Sequence, residues 1–345
     1  MKVPVFTDLK KIEFQEKPKP QIGSDEVLLE VKSCGICGSD VHGYLHGILV
    51  PPGTVMGHEC TGVISEVGAN IHEFKVGDRV AAKPIAQCGE CYWCNKGQYS
   101  ICPNALGNAF GITPENDGAF APYLRIKYPK EMLFKLPENI SFEEGALVEP
   151  LATSLHAVRM SRLGVGDNVV ILGAGMIGLG VLQFVKLGGA GKIIVLEVSE
   201  KKRSIALETG ADIALNPLDE GEALREKIFE MTGGIGADLV FECAGVPSTF
   251  QVCGTLVKSG GQVMLVGIND KEVAINPFFL VIWEVEMKGV LGYYDEFGLV
   301  IDFLHKKKIN TQGLISDRIS LDELVERGFQ RLLSSQDLVK ILVNL

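Results

Sequence analysis

The second half of the chain alternates short apolar runs with longer segments of mixed apolar and polar residues. The apolar runs predict buried strands at 168–173, 192–197, 213–215, 238–242 and 262–266. The longer segments predict helices at 176–187, 200–209, 222–231 and 250–257. Strands that alternate with helices in this way are typical of an α/β fold with a doubly wound parallel sheet.

The first half of the chain has a different pattern, in which short strands are separated by glycine turns. Residues 26–32 have an apolar centre with polar flanks, and 61–80 contains short apolar runs set off by glycines. Short strands at this spacing predict an all-β, barrel-like N-terminal domain. The pattern then changes, since Ser141 and Glu144 form a capping box that opens a helix and Pro150 is placed to start the next one.

Length and charge limit what the chain can do. At 345 residues it is too long for one simple core, so two domains are expected. The formal net charge of −10 argues against a nucleic-acid partner or an anionic membrane surface, because both need clustered Lys and Arg. Residues 1–30 have no leader pattern, and no apolar run reaches about 18 residues. We therefore expect a cytoplasmic protein that does not span a membrane.

Three short segments carry residues that suit a catalytic metal site. Cys37 offers a thiolate, His58 an imidazole, and Glu59 and Glu149 a carboxylate each. This mixture suits zinc, because three protein ligands leave the fourth tetrahedral position free for water or substrate. Neighbouring residues of an extended strand point to opposite sides, so His58 and Glu59 share one ion only if the chain bends there. Either Glu59 or Glu149 is the direct third ligand, and we expect one of the two carboxylates to be exchangeable.

A path for a proton is indicated beside the thiolate. Ser39 and His42 follow Cys37 by two and five residues and provide a hydroxyl and a titratable imidazole. A proton released from a group bound to a metal near Cys37 needs a way out, and these two side chains offer a route for it. An isolated histidine is more often an ordinary structural residue, so the relay role of His42 depends on its place in this segment.

Four of the nine cysteines lie within one segment of fifteen residues. They are Cys88, Cys91, Cys94 and Cys102, a C-x2-C-x2-C-x7-C spacing. Four thiolates at this spacing close a tetrahedral shell around zinc and leave no position for a substrate, which predicts a structural zinc ion in the lobe 88–102. An iron–sulfur cluster, which uses related spacings, and a set of reactive thiols are the alternatives.

The turn at 173–178 joins a predicted strand to a predicted helix and has the pattern G-x-G-x-x-G. Its glycines let backbone N–H groups reach a pyrophosphate at the helix N-terminus. Glu197 ends the next strand, where its carboxylate would accept hydrogen bonds from a ribose diol and repel a 2′-phosphate. NAD(H) is therefore favoured over NADP(H), although the cations at 201–203 soften this preference. The candidate cofactor-binding residues are Gly173, Gly175, Ile177, Gly178, Glu197 and Lys202.

Taken in order, these segments resemble the zinc-dependent medium-chain alcohol dehydrogenases of the polyol branch, which includes sorbitol, 2,3-butanediol and threonine dehydrogenases. The similarity covers nearly the whole chain and runs through residues 37–42, 57–59, 88–102, 149–152 and 173–178. It implies a GroES-like β-barrel catalytic domain made of residues 1–153 and 291–345 and a Rossmann dinucleotide-binding domain at 154–290. It also implies two zinc ions per subunit, hydride transfer to NAD and a homo-oligomer, either a dimer or a tetramer.

The sequence leaves the identity of the small-molecule alcohol substrate open. Gly292 and Tyr293 resemble the butanediol branch, whereas sorbitol dehydrogenases usually have an arginine near the position of Gly292. We expect reversible oxidation of a secondary alcohol in a small diol or polyol to the ketone. An L-threonine 3-dehydrogenase, for which no arginine clamp stands out, and a sugar-alcohol-phosphate dehydrogenase are alternatives. A non-catalytic nucleotide-binding protein is the alternative from another class, and it would be expected to lack Cys37, His58 or Ser39.

Overall fold

The computed structural model describes residues 1–48 and 50–345, which form two large sheets and one small one. The strands are β1 (Lys2–Asp8), β2 (Lys11–Glu16), β3 (Val27–Gly35), β4 (Glu59–Val67), β5 (Arg79–Ala82), β6 (Tyr123–Ile126), β7 (Leu133–Lys135), β8 (Asn168–Leu172), β9 (Lys192–Leu196), β10 (Ile213–Leu215), β11 (Ala237–Glu242), β12 (Val257–Leu265), β13 (Glu286–Gly289), β14 (Ile315–Ser320) and β15 (Lys340–Asn344). The α-helices are α1 (Gly38–His46), α2 (Pro129–Met132), α3 (Phe142–Ala146), α4 (Val148–Arg159), α5 (Met176–Leu187), α6 (Glu200–Thr209), α7 (Pro217–Glu220), α8 (Leu224–Met231), α9 (Pro247–Leu256), α10 (Pro277–Ile282), α11 (Glu296–His305) and α12 (Gln330–Ser334). Within the described residues, none of these helices has the length and apolar content needed to cross a membrane.

The parallel sheet has the strand order β10-β9-β8-β11-β12-β13. Its central strands are apolar throughout because helices cover both of its faces, with α4 and α5 packed on one side and α8 and α9 on the other. The direction of winding reverses between β8 and β11, and this topological switch point is where such sheets bind nucleotides. The doubly wound α/β fold predicted from the sequence is confirmed.

The predicted start of the helical region is also confirmed, with one shift. Ser141 donates its N–H to Glu144 Oε2 at 2.9 Å, and Glu144 donates its N–H to Ser141 Oγ at 3.1 Å, which is the expected capping box. The next helix, α4, begins at Val148 rather than at Pro150. Pro150 still lies in the first turn, where a helix does not need the N–H group that proline lacks.

Two features at the end of the parallel sheet differ from the sequence prediction. α9 begins at Pro247 and β12 at Val257, so both elements start earlier than the predicted 250 and 262. Gly260 and Gly261 inside β12 interrupt its apolar pattern, so the sequence predicts only the second half of this strand. β13 was not predicted because it has only four residues, none of them fully buried.

The second large sheet has the order β14-β15-β3-β4-β5-β7, with β6 also paired to β3. Strand β3 is antiparallel to β4, β6 and β15, and Leu342 in β15 lies opposite Gly35 in β3. The last strand of the chain is therefore part of the same sheet as β3 and β4, whereas β1 and β2 form the small two-stranded sheet. The all-β pattern predicted for the first half agrees with this sheet, and the exact boundaries after 153 and 290 stay a prediction.

Candidate functional site

The junction between β3, α1 and β4 brings three of the predicted metal ligands together. Cys37 lies between the end of β3 and the start of α1, and Glu59 begins β4 directly after His58. One ligand atom from each of Cys37, His58 and Glu59 lies within 4.8 Å of the others. A thiolate, an imidazole and a carboxylate at these separations suit one zinc ion, because they supply three ligands of a tetrahedral site.

The carboxylate of Glu59 is buried and is held from one side only. Lys340 Nζ donates to Glu59 Oε1 at 2.7 Å and to the Ile36 carbonyl at 2.9 Å. Glu59 Oε2 has no hydrogen-bond partner among the described residues and lies directly over Gly35, where a Cβ atom would be 2.0 Å away. The sequence reasoning missed Lys340, although a single lysine at the start of the apolar strand β15 was a signal, since a buried charge requires a partner.

Asp40 was also missed as a member of the site. It is buried, its Oδ2 accepts the Cys37 N–H at 2.9 Å, and its Oδ1 lies 3.4 Å from His58 Nδ1. A carboxylate behind a histidine orients the ring and leaves the other ring nitrogen for a metal. The signal was its position three residues after Cys37, at the third position of α1, where its side chain can reach back to the helix start.

Glu149, the second predicted carboxylate, lies in the first turn of α4, next to this group but outside the three close ligand atoms. Burial raises the pKa of Glu149 to about 7. The buried hydroxyl of Tyr293 faces the Glu149 carboxyl, and it has no hydrogen-bond partner in the part of the chain that the structure describes. A carboxyl group and a hydroxyl therefore lie beside the three ligand candidates.

The two predicted proton-path residues both lie on α1. Ser39 Oγ is 3.4 Å from His58 Nε2, so the hydroxyl lies beside the metal-ligand candidates. His42 lies almost one turn further along the helix, with its Nδ1 buried and without a hydrogen-bond partner in residues 1–48 and 50–345. The structure records no hydrogen bond between Ser39 and His42 in these residues, so the relay between them stays a prediction.

The four cysteines of the lobe 88–102 converge on one point. One sulfur from each of Cys88, Cys91, Cys94 and Cys102 lies within 4.8 Å of the others. The Cys88 sulfur is 3.6 Å from that of Cys102 and 3.9 Å from that of Cys94. Backbone N–H groups of Glu90 and Cys91 point at Cys88 and lower the pKa of its thiol to about 6, which favours the thiolate that a metal binds. The group fits a closed tetrahedral site for zinc.

The glycine-rich turn joins β8 to α5 as its pattern requires. Gly173 has a left-handed backbone with φ +95°, and a Cβ atom on Gly178 would lie 1.9 Å from the Gly173 carbonyl oxygen. These two positions therefore need glycine. Gly175 and Ile177 flank the first residue of α5, so free backbone N–H groups of the helix point out of this turn.

Glu197 lies against this turn. Its Oε2 accepts the Ala174 N–H at 2.8 Å, and its Oε1 accepts the Ser199 N–H at 2.9 Å. The carboxylate is thus fixed at the carboxyl end of the sheet with its charge facing the predicted nucleotide site. Lys202 lies in the first turn of α6, and its N–H donates to Ser199 Oγ. The ribose contact of Glu197 and the role of Lys202 stay predictions.

His156, whose environment the sequence did not define, belongs to a buried cluster beyond the site. His156 Nδ1 is 3.0 Å from Glu296 Oε1, which also accepts a hydrogen bond from Arg159 at 2.9 Å. The Tyr294 N–H donates to Glu296 Oε2 at 2.6 Å. This cluster ties α4, which carries Glu149, to the segment that carries Tyr293.

Known proteins are similar to this chain along nearly its whole length. Residues 23–138 match the family model of the alcohol dehydrogenase GroES-like domain, and residues 177–306 match that of the zinc-binding dehydrogenases. The chain is 34% identical over 348 residues to the sorbitol dehydrogenase of Bacillus subtilis, covering 99% of this chain and 97% of that protein. It is 39% identical over 349 residues to the (R,R)-butanediol dehydrogenase of the same organism, covering 97% and 96%. A solved structure described as a Sinorhizobium meliloti zinc-binding dehydrogenase bound to NADP matches with a TM-score of 0.88, 32% identity and coverage of 100% and 99%.

Proposed function

Because this chain belongs to the zinc-binding alcohol dehydrogenases, which are oxidoreductases, we propose that it oxidises a secondary alcohol of a small diol or polyol to the ketone, reversibly. Zinc is the proposed metal and NAD the proposed hydride acceptor. The observation that carries the proposal is the convergence of Cys37, His58 and Glu59, with one buried Glu59 oxygen left without a hydrogen bond.

Cys37, His58 and Glu59 are the proposed ligands of the catalytic zinc ion. Glu59 is preferred over Glu149 as the third ligand because a buried, unpartnered carboxylate oxygen is costly unless a cation faces it. Glu149 lies beside this group but outside it, which supports the role of the exchangeable carboxylate. When bound, zinc would act as a Lewis acid that lowers the pKa of the alcohol. The four cysteines of the lobe 88–102 would hold the second, structural zinc ion.

The chain's own residues supply the proposed path for the proton. Ser39 is placed to receive it, since its hydroxyl lies beside His58 Nε2. His42, on the same helix, has a ring nitrogen without a hydrogen-bond partner in the described residues and is partly exposed, so it can pass the proton to solvent. Tyr293, whose buried hydroxyl has no hydrogen-bond partner among the described residues, and Glu149 are the residues we propose for a second hydroxyl of a diol or polyol substrate.

The turn 173–178 and Glu197 support the nicotinamide cofactor. The N-terminus of α5 offers backbone N–H groups to a pyrophosphate, and the Glu197 carboxylate favours a ribose diol over a 2′-phosphate. NAD(H) is therefore the proposed cofactor, even though a relative of known structure binds NADP. Arg203 does not oppose this preference, because its guanidinium donates to the Glu197 and Val198 carbonyls.

The proposal is tested by initial rates of NAD⁺ reduction, with NADP⁺ in parallel, against 2,3-butanediol isomers, sorbitol, xylitol, threonine and a sugar-alcohol phosphate. We expect a clear preference for one diol or polyol with NAD⁺ and no turnover by Cys37→Ser. Activity confined to threonine or to the phosphate would favour those alternatives. A wild-type protein that holds both zinc ions and turns over nothing in the panel would show that the substrate class is wrong.

A homo-oligomer is also proposed, with the exposed face of α10 as its contact surface. Phe278, Val281 and Ile282 on this helix are 59%, 73% and 58% exposed, which is unusual for three large apolar side chains on one short helix. β13, next along the chain, is the last strand of the parallel sheet and so presents an edge to a second copy.

We place the protein in the cytoplasm, because a reducing compartment keeps its cysteines available for zinc.

A further inference from the structure

We infer that Lys340 is a positioning residue, which fixes the Glu59 carboxylate in the catalytic centre and makes the C-terminal strand part of the metal site. This inference rests on the proposed function, because it concerns the same proposed zinc ligand. It assigns a role to the last strand of the chain, which contributes no metal ligand of its own.

The sheet pairing brings Lys340 to Glu59 across 281 positions of sequence. β15 runs antiparallel to β3, and the Ile36 N–H donates to the Ile341 carbonyl at 3.0 Å just beyond the end of that strand. Lys340 therefore begins β15 beside Ile36, whose carbonyl it also binds. The backbone position of Lys340 is set by the pairing of β15 with β3, so the ammonium group does not depend on a flexible loop for its placement.

The two oxygens of Glu59 have different surroundings, and this difference points to a positioning role. Oε1 is held by Lys340, and no other donor reaches the carboxylate within the described part of the chain. Oε2 lies over Gly35, where a side chain would displace it. With one oxygen held by the ammonium group and the other confined by the backbone, the carboxylate is kept in one orientation.

Burial makes this ion pair sensitive to the loss of either partner. Glu59 is fully buried and Lys340 is 4% exposed. A buried charge without a partner is unfavourable, so removal of the ammonium group leaves Glu59 to be compensated by the metal alone or to turn away. We therefore expect Lys340 to control how firmly the catalytic zinc is held. The zinc of the cysteine lobe should not depend on it.

The test measures the release of zinc from the purified protein to a chromogenic chelator. The Cys37→Ser variant should hold only the zinc of the cysteine lobe, so its release rate identifies that ion. In Lys340→Met we expect the catalytic zinc to leave about tenfold to hundredfold faster, the usual effect of removing a group that orients a ligand. The lobe zinc should leave at the wild-type rate. Lys135→Met is the matched control, because Lys135 pairs with Asp78 on the same sheet at 2.9 Å and has no contact with the site.

A second readout separates positioning from a general structural role. The cobalt-substituted protein reports the ligand set through its visible absorption bands, and Lys340→Met should shift these bands while Lys135→Met leaves them unchanged. If Lys340→Met does not fold, Lys340→Ala is measured in its place, because it also removes the group that donates to Glu59 and leaves space for water beside the carboxylate.

Unchanged release and unchanged cobalt bands in a folded Lys340 variant would overturn the inference alone. Faster release of both zinc ions to the same extent would also overturn it, because it would indicate a loss of overall stability. A wild-type protein that binds only one zinc ion would instead overturn the proposed function, and the inference with it.

Discussion

Buried charged residues near Cys37 occur in pairs, and each pair includes a proposed metal ligand. Asp40 faces His58, and Lys340 binds Glu59. A charge inside a protein is costly without a partner, so each side chain stabilises the fold only while its partner stays in place. The same pairing restricts the orientation of the ligand, which links the stability of this region to its affinity for metal.

The pair formed by Asp40 gives a prediction at this scale. Asp40→Asn keeps the size of the side chain and can still accept the Cys37 N–H, but it no longer offers an anion to the His58 ring. We expect the affinity of the catalytic site for zinc to fall about tenfold because the ring is held less firmly. Competition with a chromogenic chelator measures this affinity.

Asp322→Asn is the control for Asp40→Asn, since it removes an exposed aspartate that pairs with Lys2 on the surface. Exposed pairs of this kind contribute little, so we expect its zinc affinity to equal that of the wild type. Equal affinities in Asp40→Asn and the wild type would mean that His58 does not depend on Asp40.

The residues that the sequence identified differ from those that it missed in where their partners lie. Cys37 and His58 could be proposed as ligands because few other side chains bind zinc, and the type of residue is informative by itself. A lysine in an apolar strand indicated that Lys340 needs a partner, but the partner could not be assigned, because Glu59 lies 281 positions away in a strand pairing that no local pattern reveals. Asp40 is an intermediate case, since it was visible within the segment but has no distinctive chemistry.

Among the secondary-structure elements, α4 connects the two sides of the site. Its first turn carries Glu149, and its later turns carry His156 and Arg159, which both bind Glu296 at the start of α11. Tyr293 lies three residues before Glu296. The cluster around Glu296 therefore holds the hydroxyl of Tyr293 and the carboxyl of Glu149 at a fixed separation.

Glu296→Gln tests this connection between α4 and α11. Its hydrogen bonds with His156 and the Tyr294 N–H lower the pKa of the buried Glu296 carboxyl, in opposition to the effect of burial. We expect a loss of about 1.5–3 kcal/mol in the free energy of unfolding at pH 7, the range for hydrogen bonds to a charged group. Denaturant titration of the wild type and the variant measures this difference.

The pH dependence of this difference has a defined sign. The pKa of Glu296 is lower in the folded protein than in the unfolded chain. The ionised carboxylate therefore stabilises the folded state fully above the ordinary glutamate pKa of 4.5, and this stabilisation is lost as the pH falls through the pKa of the folded state. The difference in free energy of unfolding between the wild type and Glu296→Gln should therefore become smaller in acid. Glu286→Gln is the control, because Glu286 pairs with Arg162 on the surface and its loss should cost less than about 1 kcal/mol. A gap that stays constant down to acid pH would contradict the assignment.

Fully buried strands could be predicted from the sequence, whereas exposed strands could not. The central strands β8, β9 and β11 were predicted because both of their faces are covered, which makes their sequences almost entirely apolar. β13 and β14 were not, because edge strands need few apolar residues and theirs are mostly exposed or half-buried. The pairing of β15 with β3 was expected only from the family resemblance. Strand order depends on long-range pairing that composition does not encode.

The lobe 88–102 gives a prediction that concerns one element and its metal. Cys91→Ser removes one of four sulfurs that have no role other than to close the proposed structural site. We expect loss of one zinc ion and a clear fall in thermal stability. Cys37→Ser should lose turnover with little change in stability, because its site is supported by the Asp40 and Lys340 pairs without the metal.

Metal analysis and thermal unfolding of both variants measure these effects. An equal loss of stability in Cys91→Ser and Cys37→Ser would contradict the division between a structural and a catalytic ion.

Considered as a whole, the chain places its chemistry where distant segments meet. The catalytic centre contains residues from β3, α1, β4, α4 and β15, which span most of the sequence. Because so many long-range contacts meet there, the site forms only when both ends of the chain are folded together. Association of two copies would add a further constraint, and the face of α10 is the surface where we expect it.

Phe278→Asp tests this association at the scale of the whole molecule. An exposed apolar side chain that packs against a second copy is buried in the oligomer, and a charge there would be desolvated without a partner. We expect the variant to shift from an oligomer to a monomer in size-exclusion chromatography with light scattering. Leu218→Asp is the matched control, because Leu218 is 75% exposed on α7 and should leave the mass of the wild type unchanged. A variant that keeps the wild-type mass would show that α10 is not the interface, and a monomeric wild type would remove the proposal of an oligomer altogether.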